Sequence, residues 1–326
     1  MTVTLNDIRE AQTRLSNVAV RTKLVESHIH EIAGPDSRRL FLKPENQQPI
    51  GAFKLRGAYN KVASLLERER QLGVITYSSG NHAQGVAYAA RAMGAKCVVV
   101  MPNNAPAGKR EATKALGAEI VFVGPGSTER QNKAEELAAQ HGYAIIPPYN
   151  DEKIIAGQGT IGLEILEDLP DVECVLAPVG GGGLSSGIAT AIKLSNPGIK
   201  MIGVEPELAA DCFASFRDGK IVELPAEQVS RTVADGLRTQ SVGALNFEHI
   251  RRYIDKIVTV SEEEILEAAG LLASNPKTVA EPSGAVATAA FLFHQDELPQ
   301  TKMNVAVISG GNIEPELLAR IRSKAS

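Results

Sequence analysis

Tryptophan is absent from the 326 residues, and aromatic side chains make up only 4% of them. At 44% hydrophobic residues the chain can still bury a large core, but one of aliphatic side chains and alanine, as suits helices packed on a parallel sheet. Cysteine is scarce as well. Cys97, Cys174 and Cys212 lack the spacing of a metal site, which predicts buried, reduced thiols in a cytoplasmic protein. Basic charge is not in excess: 34 Lys and Arg against 38 Asp and Glu leave a net charge of −4. No surface for nucleic acid or anionic lipid is therefore expected. No apolar run approaches the roughly 18 residues of a membrane span. The stretch Met1-Thr2-Val3-Thr4-Leu5-Asn6-Asp7 lacks the charged and apolar regions of a signal peptide. Repeats and low-complexity tracts are missing too, and the length suits two lobes.

What is present begins with glycine. Val175-Leu176-Ala177-Pro178-Val179 reads as a strand that stops at Gly180-Gly181-Gly182-Gly183, and an apolar, small-residue helical segment follows. Consecutive glycines cost backbone entropy on folding, so a fold keeps them where side chains are intolerable. Between a strand and a helix they turn successive N–H groups toward one ligand at the helix's positive end, an anion site and most often a phosphate site. A flexible linker would be polar, whereas core residues flank this loop. No Gly-Lys-Ser/Thr follows, so a Walker-type nucleotide loop is excluded. Gly181, Gly183 and Gly187 form a loose G-x-G-x-x-x-G, and Glu205 ends the next strand about 20 residues on. That pattern leaves an NAD(P)-binding oxidoreductase open.

Along the chain, helices are expected over 4–14 and 52–66, with a short strand at 40–43 between them. Strands at 74–77, 97–101, 119–123 and 143–146 then alternate with helices at 83–93, 106–116 and 128–141. Pro147-Pro148 and the turn at Asn150-Asp151 mark a lobe boundary. Beyond it come helices at 154–169, 209–216, 261–273 and 284–293, and strands at 200–204, 254–260 and 305–308. Ser261 with Glu264 makes a capping box. The alternation predicts an α/β fold with parallel sheets and sites at the carboxyl ends of strands.

Three groups of residues carry chemistry. Lys54 lies in Gly51-Ala52-Phe53-Lys54-Leu55-Arg56-Gly57-Ala58, just inside a helix start. Burial and a helix N-terminus would lower its pKa and make a nucleophilic amine; an exposed first-turn lysine explains the eight residues equally well. Ser78-Ser79-Gly80-Asn81-His82 forms a second strand–turn–helix cradle, with hydroxyl, amide and imidazole at one point. A capping turn alone would explain one serine and the glycine. Glu205-Pro206-Glu207-Leu208-Ala209-Ala210-Asp211 places two carboxylates around a strand-to-helix turn. They are hard ligands for Mg²⁺, Mn²⁺ or Ca²⁺, or a solvated acidic turn.

Taken together these motifs resemble a fold-type II pyridoxal-phosphate (PLP) enzyme of the threonine/serine dehydratase and serine racemase family. The resemblance rests on the Lys54 and Ser78–His82 motifs, Ile155-Ala156-Gly157-Gln158-Gly159-Thr160, Gly180 to Gly183, Ala234-Asp235-Gly236, Glu281-Pro282-Ser283-Gly284 and Ser309-Gly310-Gly311-Asn312, in family order over nearly the whole chain. It implies a two-lobed fold, each lobe a mostly parallel sheet flanked by helices. Residues 1–72 and 150–326 would form a large PLP-binding domain, and 73–149 a small one.

The same resemblance implies that Lys54 forms the Schiff base and Phe53 packs on the pyridine ring. Gly180, Gly181, Gly182 and Gly183 would hold the phosphate, Asn81 the ring hydroxyl, and Ser309 would face the ring nitrogen. Ser78, Ser79, Asn81 and His82 would bind the substrate carboxylate, with Ser79 opposite Lys54 at the α-carbon. Glu205, the Ala209 carbonyl and Asp211 match the divalent-cation positions of the racemase-like branch. The implied activity is removal of the β-hydroxyl and amino groups of a substrate such as L-threonine or L-serine by a homodimer. Racemisation, a 3-hydroxyaspartate or aryl-serine substrate, and a β-replacement synthase are the alternatives. Glu45-Asn46-Gln47-Gln48-Pro49-Ile50 departs from the loop of many relatives, and Tyr149-Asn150, Arg130 and Arg238-Thr239-Gln240-Ser241 leave the substrate open. A C-terminal regulatory domain, with isoleucine feedback, is not expected.

Overall fold

The computed structural model describes residues 2–29, 38–124 and 126–325. Among them are strands β1 (Val25–Ser27), β2 (Arg39–Pro44), β3 (Val74–Tyr77), β4 (Cys97–Pro102), β5 (Glu119–Val123), β6 (Ala144–Ile145), β7 (Cys174–Pro178), β8 (Lys200–Pro206), β9 (Lys256–Val260) and β10 (Met303–Ile308). They form a six-stranded sheet of order β1-β2-β10-β7-β8-β9 and a four-stranded sheet of order β5-β4-β3-β6. Only the β1–β2 pair is antiparallel. No helix among the described residues is long and apolar enough to cross a membrane.

Strands buried on both faces explain the near-continuous apolar runs. In the large sheet Leu176, Ile202, Val204, Ala306 and Ile308 pack on one side with Ala285 to Leu292 of the helix Pro282–Phe293. Their neighbours Val175, Ala177, Met201, Val305 and Val307 pack on the other with Leu184, Ile188 and Ile192 of the helix Gly183–Ser195. In the small sheet Val99 and Met101 meet the alanine-rich helix Asn81–Ala92, and Val98 and Val100 meet Ala134 and Ala138 of Ser127–His141. The core is mostly aliphatic, with Phe41, Phe247, Tyr253 and Phe291 among its few aromatic rings, and the three cysteines are buried and free.

Small residues let the helices under the site approach closely. A Cβ on Gly157 would lie 2.7 Å from the Arg56 carbonyl oxygen and from the Gly57 Cα, so the helices Lys54–Ser64 and Glu152–Asp168 cross backbone to backbone. That accounts for glycine in the 155–160 motif.

Several boundaries differ from the sequence expectation, each for a local reason. The helix expected over 52–66 begins at Lys54, because Ala52 pairs with Gly310 in an isolated bridge. The charged run forms its own helix, Glu67–Leu72, with the Glu69 carboxylate accepting from the Leu66 N–H at 2.7 Å. The helix expected from 209 starts at Asp211, after a 3-10 turn over Glu207–Ala209. The first helix (Leu5–Leu15) is capped by Thr4, and Ser261 and Glu264 make their capping box. Strand β1 and the helices Ala226–Val229, Ala244–Tyr253 and Pro315–Ala325 were not anticipated.

Candidate active site

Strand order reverses at one point in each sheet. In the large sheet the chain runs from β7 through β8 to β9 at one edge, and β10 then returns to the other side of β7. In the small sheet it runs from β3 through β4 to β5, and β6 then returns to the other side of β3. Ligands of open α/β sheets bind outside the carboxyl ends of strands at such points. The loops after β7, β10, β3 and β6 carry Gly180–Gly183, Ser309, Ser78–His82 and Pro148-Tyr149, and all of them line one cleft of about 400 Å³. Phe53 and Lys54 line it too. The expected cofactor and substrate residues are thus brought together from four separate stretches of chain.

Lys54 is the first residue of its helix, and its Nζ donates to the Pro148 carbonyl at 2.6 Å. The Phe53 ring centroid lies 5.2 Å from that ammonium. Burial alone pulls the lysine pKa down to about 8, so a minor part of it is already free amine near neutral pH. Of the two readings of Lys54, the exposed first-turn lysine is not what the structure shows: the side chain is enclosed in the cleft.

Gly182 ends the glycine loop in the left-handed region (φ 91°), capping the helix that starts at Gly183. A Cβ on Gly181 would sit 2.3 Å from the Tyr149 ring, and one on Gly183 would sit 3.0 Å from the Tyr149 Cβ. Tyr149 is itself pushed up to about 12 by burial, with Tyr77 and Asp211 adding to it, so its phenol is neutral.

On the small-sheet side, the helix Asn81–Ala92 points its N-terminus at the cleft behind Gly80. The Ser78 Oγ accepts from the Gly80 N–H at 3.3 Å; the Ser79 hydroxyl has no hydrogen-bond partner among the described residues. His82 is buried, its Nε2 lies 3.0 Å from the Ile146 carbonyl, and its pKa falls to about 3, through burial first and the nearby Lys54 second. A carbonyl only accepts, so Nε2 carries the proton and the neutral ring presents a bare Nδ1 lone pair. The imidazole therefore cannot donate to a carboxylate as expected for substrate binding. What His82 offers an anion is its backbone N–H in the first helical turn.

The Ser309 Oγ donates to the Ser283 carbonyl at 3.3 Å. Asn81 is held at both ends: its Nδ2 donates to Glu281 Oε1 at 2.6 Å and its Oδ1 accepts from Asn312 Nδ2 at 2.7 Å.

Two features were not read from the sequence. Lys109 forms an ion pair with Asp235 at the cleft, joining the helix Ala107–Ala115 to the loop after Ala234. Behind Lys54, Arg56 is buried with Glu45 (2.8 Å) and Glu164 (2.7 Å), and Lys43 reaches Glu164 at 2.5 Å. Two cations and two carboxylates leave the cluster neutral, the arrangement that makes burial of charge tolerable. It pins the first turn of the Lys54 helix. These partners lie 11 to 126 positions apart in sequence, and no motif spacing reports them.

Glu205, Ala209 and Asp211 lie outside the cleft lining. Glu205 is fully buried and accepts from the Cys212 and Phe213 N–H groups at 3.1 and 2.6 Å. Burial and Asp211 hold its pKa well above the carboxylate range. Buried in this way, it is not the ribose-binding acid of a dinucleotide site. Asp211 Oδ2 is buried without a partner. Among the described residues no group of three or more His, Cys, Asp or Glu side chains is arranged for a metal ion.

The family described as pyridoxal-phosphate dependent enzyme matches residues 15–310. The chain belongs to this family. It is 46% identical over 323 residues to the L-threonine ammonia-lyase of Thermotoga maritima, covering 99% of this chain and 79% of that one. It is 42% identical over 320 residues to a catabolic L-threonine dehydratase of Escherichia coli, covering 98% and 96%. The solved structure of maize serine racemase matches with a TM-score of 0.92 at 35% identity, covering 99% of this chain and 98% of that one.

The cleft fits the family's cofactor. An enclosed amine with a lowered pKa, a glycine loop at a helix N-terminus and a fixed amide donor are the donor set that an aldehyde, a phosphate and a ring oxygen require.

Proposed function

We propose that the protein is a PLP-dependent ammonia-lyase converting L-threonine or L-serine to the 2-oxo acid and ammonia. The observation that carries this reading is the enclosed Lys54 ammonium in a cleft built from Gly180–Gly183 and the Ser78–His82 turn. The threonine ammonia-lyase and dehydratase relatives support it.

Pyridoxal phosphate, when bound, supplies an electron sink for charge developing at the α-carbon of an amino acid. Lys54 would hold it through Nζ; Gly180 to Gly183 would hold its phosphate, Phe53 its ring face, and Asn81 its ring oxygen. Once freed, the Lys54 amine is the base for the α-proton, and its lowered pKa suits that task. Ser78, Ser79 and the backbone N–H groups of Asn81 and His82 would bind the substrate carboxylate at the helix N-terminus. Ser309 is neutral and cannot keep a ring nitrogen protonated as an aspartate would, which favours prompt loss of a β-hydroxyl over transamination. The net change is loss of the hydroxyl as water and of the amine as ammonia, with a second water supplying the new carbonyl oxygen.

The free Ser79 hydroxyl in the cleft favours a second reading, racemisation on the same residues, since a group on the face opposite Lys54 is what racemisation adds. A panel of L- and D-threonine, L- and D-serine, 3-hydroxyaspartates and an aryl-serine, assayed for ammonia and for enantiomer exchange, tests both. Ammonia from L-threonine or L-serine as the fastest reaction is expected, and none from any of the panel would overturn the reading.

We also infer that Glu205, the Ala209 carbonyl and Asp211 hold a divalent cation; the unpartnered, buried Asp211 Oδ2 supports this. The setting proposed is a cytoplasmic homodimer, with 1–72 and 150–326 as the large domain and 73–149 as the small one.

A further inference from the structure

Glu281 sits at the start of the helix Pro282–Phe293, is 2% exposed and lines the cleft. Its Oε1 accepts from Asn81; its Oε2 is buried and has no partner among the described residues. Gly310 lies against this contact. A Cβ there would come within 2.4 Å of Glu281 Oε1 and 3.1 Å of Asn81 Nδ2, so a bare residue is what lets acid and amide meet. Asn312 fixes the other end of the Asn81 amide. One N–H of Nδ2 is therefore committed to Glu281, and the second remains for a ligand.

The charges bearing on Glu281 come from two elements. Asp235 acts from the 3-10 turn Asp235–Leu237, and Lys109 reaches across from the helix Ala107–Ala115, with Glu314 in turn acting on Lys109. Asp235 favours the protonated acid, Lys109 opposes it, and burial favours it most. A neutral acid keeps a donor on the otherwise unpartnered Oε2.

We propose that Glu281 is a positioning residue of this site, acting through Asn81 and carrying a proton on Oε2 that is held or released according to the Lys109–Asp235 pair. Release puts a negative charge beside Asn81 and so beside whatever ring oxygen Asn81 holds. The inference rests on the reading of the cleft as the cofactor and substrate site.

The test uses the holoenzyme and its Glu281→Gln, Lys109→Met and Asp235→Asn variants. The visible absorbance of the bound cofactor is followed against pH without substrate, and kcat/KM for L-threonine is followed in parallel. The wild type should show a step within about two units of neutrality. Glu281→Gln keeps an acceptor for Asn81 but has no proton to lose, so the step should vanish. Lys109→Met should move the step to higher pH and Asp235→Asn to lower pH, each by roughly one unit. Opposite shifts are not what a merely structural role produces. They also decide the matter if Glu281→Gln fails to retain cofactor.

The proposal is overturned if the wild type has no step, if the step survives in Glu281→Gln, or if the two charge variants shift it the same way or not at all. If the absorbance steps behave as expected but no β-hydroxy amino acid yields ammonia, it is the substrate reading that fails and the role of Glu281 stands.

Discussion

Lys54 and Ser79 face the same cleft with different tools. A buried amine with a pKa near 8 exists partly as free base at neutral pH, whereas a serine hydroxyl is a weak base unless its surroundings tune it. Elimination from an L-substrate needs proton removal on the lysine face alone; racemisation needs both faces. Ser79→Ala should therefore lower any racemase activity, and any elimination from the D-enantiomer, by about a hundredfold or more. L-elimination should fall by about tenfold or less, through weaker carboxylate binding. Chiral analysis alongside ammonia release separates the two. Loss of L-elimination as complete as in Lys54→Ala would give Ser79 a place on the main path. At this scale the sequence was informative where a motif is contiguous. Phe53-Lys54, Ser78–His82 and the glycines were all legible and all line the cleft. The state of the His82 ring was not, because Ile146, 64 positions away, fixes its proton.

Elements place these residues through close approach. The glycine loop passes so near Tyr149 that Gly181→Ala would put a methyl 2.3 Å from the ring, and a packed ring cannot yield by that much without moving the loop. Gly181→Ala should cost about 1–3 kcal/mol in stability and weaken cofactor affinity, read from a melting curve and from titration of cofactor-free protein. Unchanged melting and affinity would contradict the packing described. Strand and helix types were readable from alternation and apolar runs, since doubly buried parallel strands leave that signature. Helix starts were not. Whether 52 or 54 begins a helix depends on a bridge from Ala52 to Gly310, far away in sequence. Strand β1, of three residues, is too short to show a period.

Over the whole molecule, two switch points face one cleft, and the chain order alone cannot show that two sheets meet there. The paired acids Glu205 and Asp211 give the account a global readout. Burial holds both above the ordinary carboxylate range, Asp211 at about 7. The folded protein thus keeps protons that the unfolded chain gives up above about pH 4. Without a cation, stability should be greatest below that pH as far as these groups are concerned, and should fall as pH rises through about 7. Mg²⁺, Mn²⁺ or Ca²⁺ binding the ionised pair should restore it, raising Tm more at about pH 8 than at about pH 5. Chelated protein whose Tm is insensitive to added cation at both values would remove the site. The central claim is that Lys54 carries the cofactor in this cleft, and borohydride reduction of the holoenzyme followed by peptide mapping tests it most directly. The account predicts the reduced cofactor on the peptide containing Lys54 and on no other lysine; label at a different lysine, or none at all, would contradict it.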